Sequence, residues 1–200
     1  MENVRVPRFV THYHLPGTAP FLNLSVLGDD DLARVLSALD RRREAGEHQR
    51  VFGGRYMELR RRTEEAMYDL FREVGGAPQR TAPHYFVLGV SRWYRGLAPG
   101  MQAVTVPLSE LPPEVTSFTY PDSFTAMGLI AEYGLPYEPR PYHLRVFRLE
   151  ELTHIVGAHG LPADEEPTEY AGYERVAFEN IEVQVWSDEP VRQFLARIDS

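Results

Sequence analysis

One stretch near the C-terminus alternates polar and β-branched residues and contains a carboxylate that could do chemistry. Within residues 178–186, Asn180, Glu182 and Gln184 alternate with Ile181, Val183 and Val185. In an extended strand the three polar side chains share one face. On an edge strand that face would simply meet solvent. If it lines a cleft instead, Glu182 can hold a ribose hydroxyl and stabilise an oxocarbenium-like centre, as carboxylates do in glycosyl transfer.

A second candidate is the segment 117–126, which predicts a strand, a Pro turn and a helix start. Backbone N–H groups at that start, with the hydroxyls of Ser117, Thr119 and Ser123, can receive a phosphate or a ribose hydroxyl. The charge of Asp122 caps the helix and competes with an anion. A plain strand-turn-helix cap explains the segment equally well.

The order of these elements resembles that of the ADP-ribosyltransferases. A strand ending in Phe-Thr, a Pro-Asp turn, a helix, a strand-helix unit and a late strand bearing Glu182 follow one another over about residues 84–200. In that superfamily a first strand carries His or Arg, a second carries Ser, Thr or Tyr, and a third carries the catalytic Glu. Together they hold NAD in a cleft, so the resemblance implies a small-molecule nucleotide, NAD, as substrate and no metal.

The resemblance also implies roles for individual residues. Glu182 takes the catalytic role, and the middle role falls to Ser117, Thr119 and Tyr120. The first role falls either to His84 or to Arg95, and the sequence leaves both open. Tyr120 or Tyr85 would stack on the nicotinamide, and the acceptor is undetermined, with water making the protein a glycohydrolase.

Three features depart from the family pattern. Ser-Phe-Thr replaces a Ser-Thr-Ser core in the middle element, and Asn180 stands where Gln or Glu often precedes the catalytic Glu by two residues. The interval between the middle and last elements is also long. Because fold analogy does not establish activity, other functions remain to be weighed.

Two alternatives come from other classes. His12 and His14 lie on one side of an extended segment and could transfer protons together with Glu182 in a small-molecule enzyme. The same pair could hold a metal, but a catalytic zinc usually needs a third protein ligand and no zincin spacing accompanies them. The aromatic residues could instead form the recognition surface of a non-catalytic protein-binding or immunity-type protein.

The shape of a cleft would discriminate these alternatives. A cleft that joins His84 or Arg95 with Thr119 and Glu182 favours the transferase. A cleft around His12 and His14 favours the proton-transfer enzyme, and a flat aromatic face without either cleft favours the binding protein.

Composition removes several classes of function. The 200 residues include neither Cys nor Lys, which excludes disulfides, thiol nucleophiles, Schiff-base lysines and a Walker A lysine. The formal net charge of −8 disfavours bulk DNA binding. No stretch is apolar enough to span a membrane and no apolar region follows the N-terminus, so we expect a cytoplasmic protein without a membrane partner. The oligomeric state stays open.

The pattern of the whole chain predicts one α+β domain over residues 1–200. A mainly helical part, 1–76, packs on a mixed, mainly antiparallel sheet with short helices in the sheet-rich part, 77–200, which carries the cleft. The Arg triplet 60–62, followed by Glu64 and Glu65, predicts a solvated helix face. Helices are predicted from residue 29 into the polar run 41–47 and over 56–74, 122–133, 150–159 and 189–198. Strands are predicted over 84–90, 101–106, 115–119, 144–148 and 181–186, after short extended segments in 6–26, and a linker over 161–168.

Overall fold

A computed structural model of the chain describes residues 5–52, 55–134, 137–162 and 180–198. These residues form a sheet with helices on both faces, which confirms the predicted α+β class. The strands are β1 (Phe9–His14), β2 (His84–Leu88), β3 (Gln102–Pro107), β4 (Thr116–Thr119), β5 (Phe147–Arg148) and β6 (Glu182–Val185). The α-helices are α1 (Asp29–Glu44), α2 (Tyr56–Glu73), α3 (Arg92–Gly96), α4 (Ser123–Ala126), α5 (Leu152–His159) and α6 (Asp188–Ile198).

The strand order is β3-β1-β2-β6-β4-β5, and each of these neighbouring pairs is antiparallel. The N-terminal part therefore contributes β1 to the sheet as well as helices α1 and α2. β6 lies in the interior between β2 and β4, and all four of its residues are buried. The edge-strand interpretation of the polar face that carries Glu182 is thus wrong.

The two long helices match the sequence patterns that predict them. Helix α1 has acidic residues in its first turn and Arg in its last, as the helix dipole favours, although its N-cap is Gly28 rather than an Asp. Helix α2 ends just before Gly75 and Gly76. A Cβ on Gly76 would overlap the Phe71 ring, so the close approach of the chain to that ring requires glycine.

Two predictions about short elements are wrong. The predicted helix 122–133 is interrupted, because Gly128 takes a left-handed conformation with φ of 73° between α4 and a 3₁₀ helix, Leu129–Tyr133. The helix α3 was not predicted. The Ser91 side chain caps it by accepting from the N–H of Tyr94, and Arg95 therefore lies on a helix rather than on a strand. The predicted linker 161–168 lies outside the described residues from 163 onward.

The two faces of the sheet bury different side chains. One face packs against α5 and α6 through an apolar core that includes Phe86, Phe118 and Val183. The other face packs against α2 and α4, where Met67 and Trp186 belong to a smaller apolar cluster. Within the described part of the chain, no helix is long and apolar enough to cross a membrane.

Candidate functional site

A cavity of about 280 Å³ lies where β1 and β2 separate. The two strands pair at Val10–Leu88 and Thr11–Val87. Beyond that point a side chain replaces the backbone ladder, since His12 Nδ1 hydrogen-bonds the carbonyl oxygen of Tyr85 at 2.8 Å. Residues from α2, α3 and the segments 11–25 and 48–52 also line the cavity.

Glu182 lines this cavity from the central strand β6 and is only 5 % exposed. It lies opposite Val87 on β2 and opposite Thr119 on β4. Its carboxylate accepts from the Ser123 N–H at 3.3 Å and from the Ser123 hydroxyl at 3.1 and 3.2 Å.

Burial raises the pKa of Glu182 to about 6. That value is the net result, to which the neighbouring Asp122 also contributes by raising the pKa, while Arg60 and the hydrogen bonds from Ser123 lower it. The pKa of Asp122 is also raised, chiefly by burial. A second buried carboxyl group, that of Asp122, therefore lies beside Glu182, and Glu182 changes its charge near neutral pH.

Arg60 brings a positive charge into the cavity from α2. Its guanidinium carbon lies 3.5 Å from the centroid of the Tyr85 ring, and its Nε donates to Glu64 Oε1 at 3.1 Å. Glu64 Oε1 also accepts from the Tyr85 hydroxyl at 3.0 Å. The terminal nitrogens of Arg60 hydrogen-bond none of the residues that the structure describes.

This position corrects the prediction that the whole Arg triplet faces solvent. The side chains of Arg61 and Arg62 are 45 % and 48 % exposed, but that of Arg60 is only 13 % exposed. Arg60 continues the buried stripe of α2 one turn before Glu64 and two before Met67. The helical spacing contains this signal, although an Arg side chain is more often exposed.

Arg60 stays charged in this setting. Burial by itself lowers its pKa, but the oxygens of Tyr85 and Tyr56 and two nearby carboxylates outweigh that effect and raise it. Burial raises the pKa of Tyr85 and of Tyr94 as well, so both phenols keep their protons.

Aromatic rings form much of the remaining wall. Tyr13 stacks on Tyr94 with ring centroids 5.7 Å apart and an interplanar angle of 7°. The Tyr13 hydroxyl accepts from the N–H of Ser91 at 2.9 Å, which fixes the ring. Tyr56 lies nearby, and its hydroxyl accepts from Arg50 at 2.9 Å. Flat rings with a few fixed polar groups suit a planar heterocyclic ligand.

His12 and His14 also line the cavity, but His12 has no free ring nitrogen. Its Nε2 accepts from the N–H of Phe21 at 2.9 Å, so its Nδ1 must carry the proton donated to the Tyr85 carbonyl. Burial lowers its pKa to about 4 and keeps it neutral. His14 Nδ1 is hydrogen-bonded to the Thr18 carbonyl at 2.9 Å. No group of three or more metal-ligating side chains occurs among the residues described.

The other predicted site residues divide into two groups. His84 and Tyr85 line the cavity with Glu182, whereas Ser117, Thr119, Tyr120 and Arg95 do not. The His84 Nε2 lies 2.9 Å from Asp188 Oδ1 and also contacts Arg80. Arg95 is exposed on α3.

The three predicted residues of the middle element have structural partners. Ser117 donates to Gln184 Oε1 at 3.0 Å, and Thr119 accepts from Gln184 Nε2 at 3.1 Å. The Tyr120 hydroxyl donates to the carbonyl of His159 at 3.1 Å, in the apolar core on the far side of the sheet. The cavity thus joins His84 to Glu182 without Thr119, and it includes His12 and His14 as well.

The predicted anion site at the start of α4 is already filled by protein groups. The N–H groups of Phe124 and Thr125 donate to Asp122 Oδ1 at 3.0 and 3.1 Å, and that of Ser123 donates to Glu182. The strand-turn-helix cap therefore accounts for these N–H groups, which donate to protein carboxylates.

Searches of protein-family models, curated proteins and solved structures find no match for this chain. The residues of the cavity are therefore the basis for proposing a function.

Proposed function

We propose that the protein is an NAD-dependent enzyme of the ADP-ribosyltransferase type, or an NAD glycohydrolase when water is the acceptor. The observation that supports this most is the position of Glu182. It is a buried carboxylate in a cavity whose lining also includes several aromatic rings and the Arg60 guanidinium. A ligand with a planar heterocycle, a ribose and a phosphate chain matches these three kinds of group.

Glu182 is the group that acts on the ribose. Its ionised carboxylate accepts a hydrogen bond from a ribose hydroxyl and stabilises the positive charge that develops at the anomeric carbon. The electrons of the glycosidic C–N bond leave with nicotinamide. A lone pair of the acceptor forms the new bond to the anomeric carbon, and the proton of the acceptor passes to solvent water. Because the site is buried, the attraction between carboxylate and cation is stronger than it would be in water.

Arg60 is the group that orients the phosphate chain. The sequence leaves this role open between His84 and Arg95, but Arg95 is exposed outside the cavity and His84 is engaged by Asp188. Glu64 holds Arg60 through Nε, so the terminal nitrogens can donate in parallel to phosphate oxygens. The Tyr85 ring packs against the Arg60 guanidinium, and the nicotinamide stacks on the ring of Tyr13 or Tyr94.

The test is calorimetric titration of NAD into the purified protein, with nicotinamide release followed on the same samples. We expect Glu182→Gln to keep NAD binding and to lower release by on the order of 100-fold or more, because it removes charge stabilisation present mainly in the transition state. We expect Arg60→Met to weaken NAD binding by about tenfold or more, the loss of a charge-assisted hydrogen bond.

The neighbouring Arg61 supplies a matched control. Arg61→Met makes the same change on the same helix at an exposed position and should alter neither binding nor release. Unchanged release in Glu182→Gln would contradict the proposal. If the wild-type protein shows neither NAD binding nor release, a non-catalytic protein-binding function becomes the better hypothesis, and a partner pull-down follows.

A further inference from the structure

We infer that Ser123 is a positioning residue for Glu182: its N–H and its hydroxyl together hold the carboxylate in one orientation towards the cavity. The inference rests on the proposed function in one respect, that Glu182 is the working group. Both donors come from one residue at the start of α4 and reach a strand 59 residues away in sequence. Ser123 itself is fully buried, so no exchange with bulk water competes with these bonds.

The orientation of Ser123 is set by its neighbours. Asp122 Oδ1 accepts the next two N–H groups of the helix, and Asp122 Oδ2 accepts the Thr125 hydroxyl at 2.6 Å. These three bonds fix the turn and keep the Asp122 carboxylate occupied. The N–H and the hydroxyl of Ser123 donate to Glu182 instead. The donors at the start of this short helix are therefore shared between two carboxylates, those of Asp122 and Glu182.

Ser123 has no substitute among the groups that face Glu182. Arg60 from α2, Tyr85 from β2, Tyr94 from α3 and Asp122 interact with it electrostatically. None of them hydrogen-bonds the carboxylate within the part of the chain that the structure describes. Loss of the Ser123 hydroxyl would leave one N–H at 3.3 Å and the repulsion of Asp122.

Loss of the Ser123 hydroxyl would change both the orientation and the protonation of the Glu182 carboxylate. The hydroxyl donates to the charged form of Glu182, so it favours ionisation against the effect of burial. Without the hydroxyl the carboxylate would protonate at higher pH and would sample other rotamers. A residue that merely filled space would affect neither property.

The test is an NMR titration of the Glu182 carboxyl carbon, assigned by its disappearance in Glu182→Gln. We expect Ser123→Ala to raise the titration midpoint by about one pH unit, the shift that corresponds to one charge-assisted hydrogen bond. Ser123→Thr retains the hydroxyl and should restore the midpoint. Ser117→Ala removes another buried hydroxyl, one bonded to Gln184 and not to Glu182, and should leave it unchanged.

Equal midpoints in Ser123→Ala and wild type, or equal shifts in Ser123→Ala and Ser117→Ala, would overturn the inference. Nicotinamide release provides the second readout. In Ser123→Ala, the acidic limb of the pH–rate profile of release should shift to higher pH together with the titration midpoint. The kcat of this variant should fall while its KM for NAD stays constant. A shifted midpoint without release from any variant would support the role of Ser123 and contradict the proposed reaction. Release that depends on Glu182 but not on Ser123 would support the proposed reaction and contradict the role of Ser123.

Discussion

The two faces of the sheet use the same strands for different purposes. On β4 and β6, Phe118 and Val183 enter an apolar core, while the adjacent Thr119 and Glu182 turn to the opposite face and form hydrogen bonds. All four residues are buried. The difference shows that burial alone does not distinguish a core from a site. Packing on the apolar face stabilises the fold. On the polar face, burial of the Glu182 carboxylate costs free energy, and its hydrogen bonds hold it in position.

The largest expected effect tests the apolar face. Phe118→Ala removes a fully buried ring that stacks on Phe147 at 5.2 Å between centroids, and should lower the free energy of unfolding by about 3–5 kcal/mol. Thr119→Val, its neighbour on the other face, removes only a hydroxyl and should cost about 1 kcal/mol. Urea unfolding measures both. Equal losses would mean that the two faces contribute alike to stability.

The second prediction concerns pH, because two groups that line the cavity, His12 and Glu182, respond to it in opposite directions. His12 titrates at about 4 when folded and at 6.5 in the reference state, so the unfolded chain binds more protons between these values. Acidification from pH 6.5 to 4 should therefore remove up to about 3 kcal/mol of stability through His12. Glu182 titrates at about 6 when folded against 4.5, so the folded chain binds more protons there.

Raising the pH from 4.5 to 6 should therefore cost about 2 kcal/mol of stability through Glu182. Unfolding free energies measured from pH 4 to 7 for wild type, His12→Gln and Glu182→Gln isolate the two contributions as difference curves. The His12 curve should rise with pH and the Glu182 curve should fall. Slopes of the same sign would show that one of the two groups lacks the environment described.

A smaller difference in stability should distinguish the buried side of α2 from its exposed side. Glu64→Gln leaves the buried Arg60 without its anion and should lower stability by about 2 kcal/mol. Glu65→Gln makes the same change one residue later at an exposed position and should stay within about 0.5 kcal/mol. Thermal unfolding compares the pair. A similar loss in both variants would indicate a general charge effect along the helix rather than the buried ion pair.

Local patterns predicted most of the elements. Alternation identified β6 and the shared face of its polar residues, and the glycines after residue 74 predicted the end of α2. Two predictions failed for local reasons. The left-handed Gly128 interrupts a helix that composition favours, and the Ser91 cap creates α3 in a segment read as part of a strand motif.

The candidate site was predicted only in part. Glu182, His84 and Tyr85 do line one cavity, but the sequence analysis predicts neither Arg60 in its wall nor Ser123 as the hydrogen-bond partner of Glu182. Arg60 was assigned to solvent by its charge, although its helical spacing places it on the buried face. Ser123 was read as a donor to a ligand, and its partner is a carboxylate far along the chain.

The sequence by itself determined most of the helices and strands and which side chains share a face, because these depend on spacings of two to four residues. The tertiary structure decided that β6 lies in the interior, that His12 opens the sheet beside β2, and that α2 and α4 converge on Glu182. Those outcomes depend on strand order and on contacts between residues far apart in the chain. Local periodicity does not encode such contacts. The alternating pattern of β6 is therefore equally compatible with an exposed edge strand, and only the strand order places it in the interior.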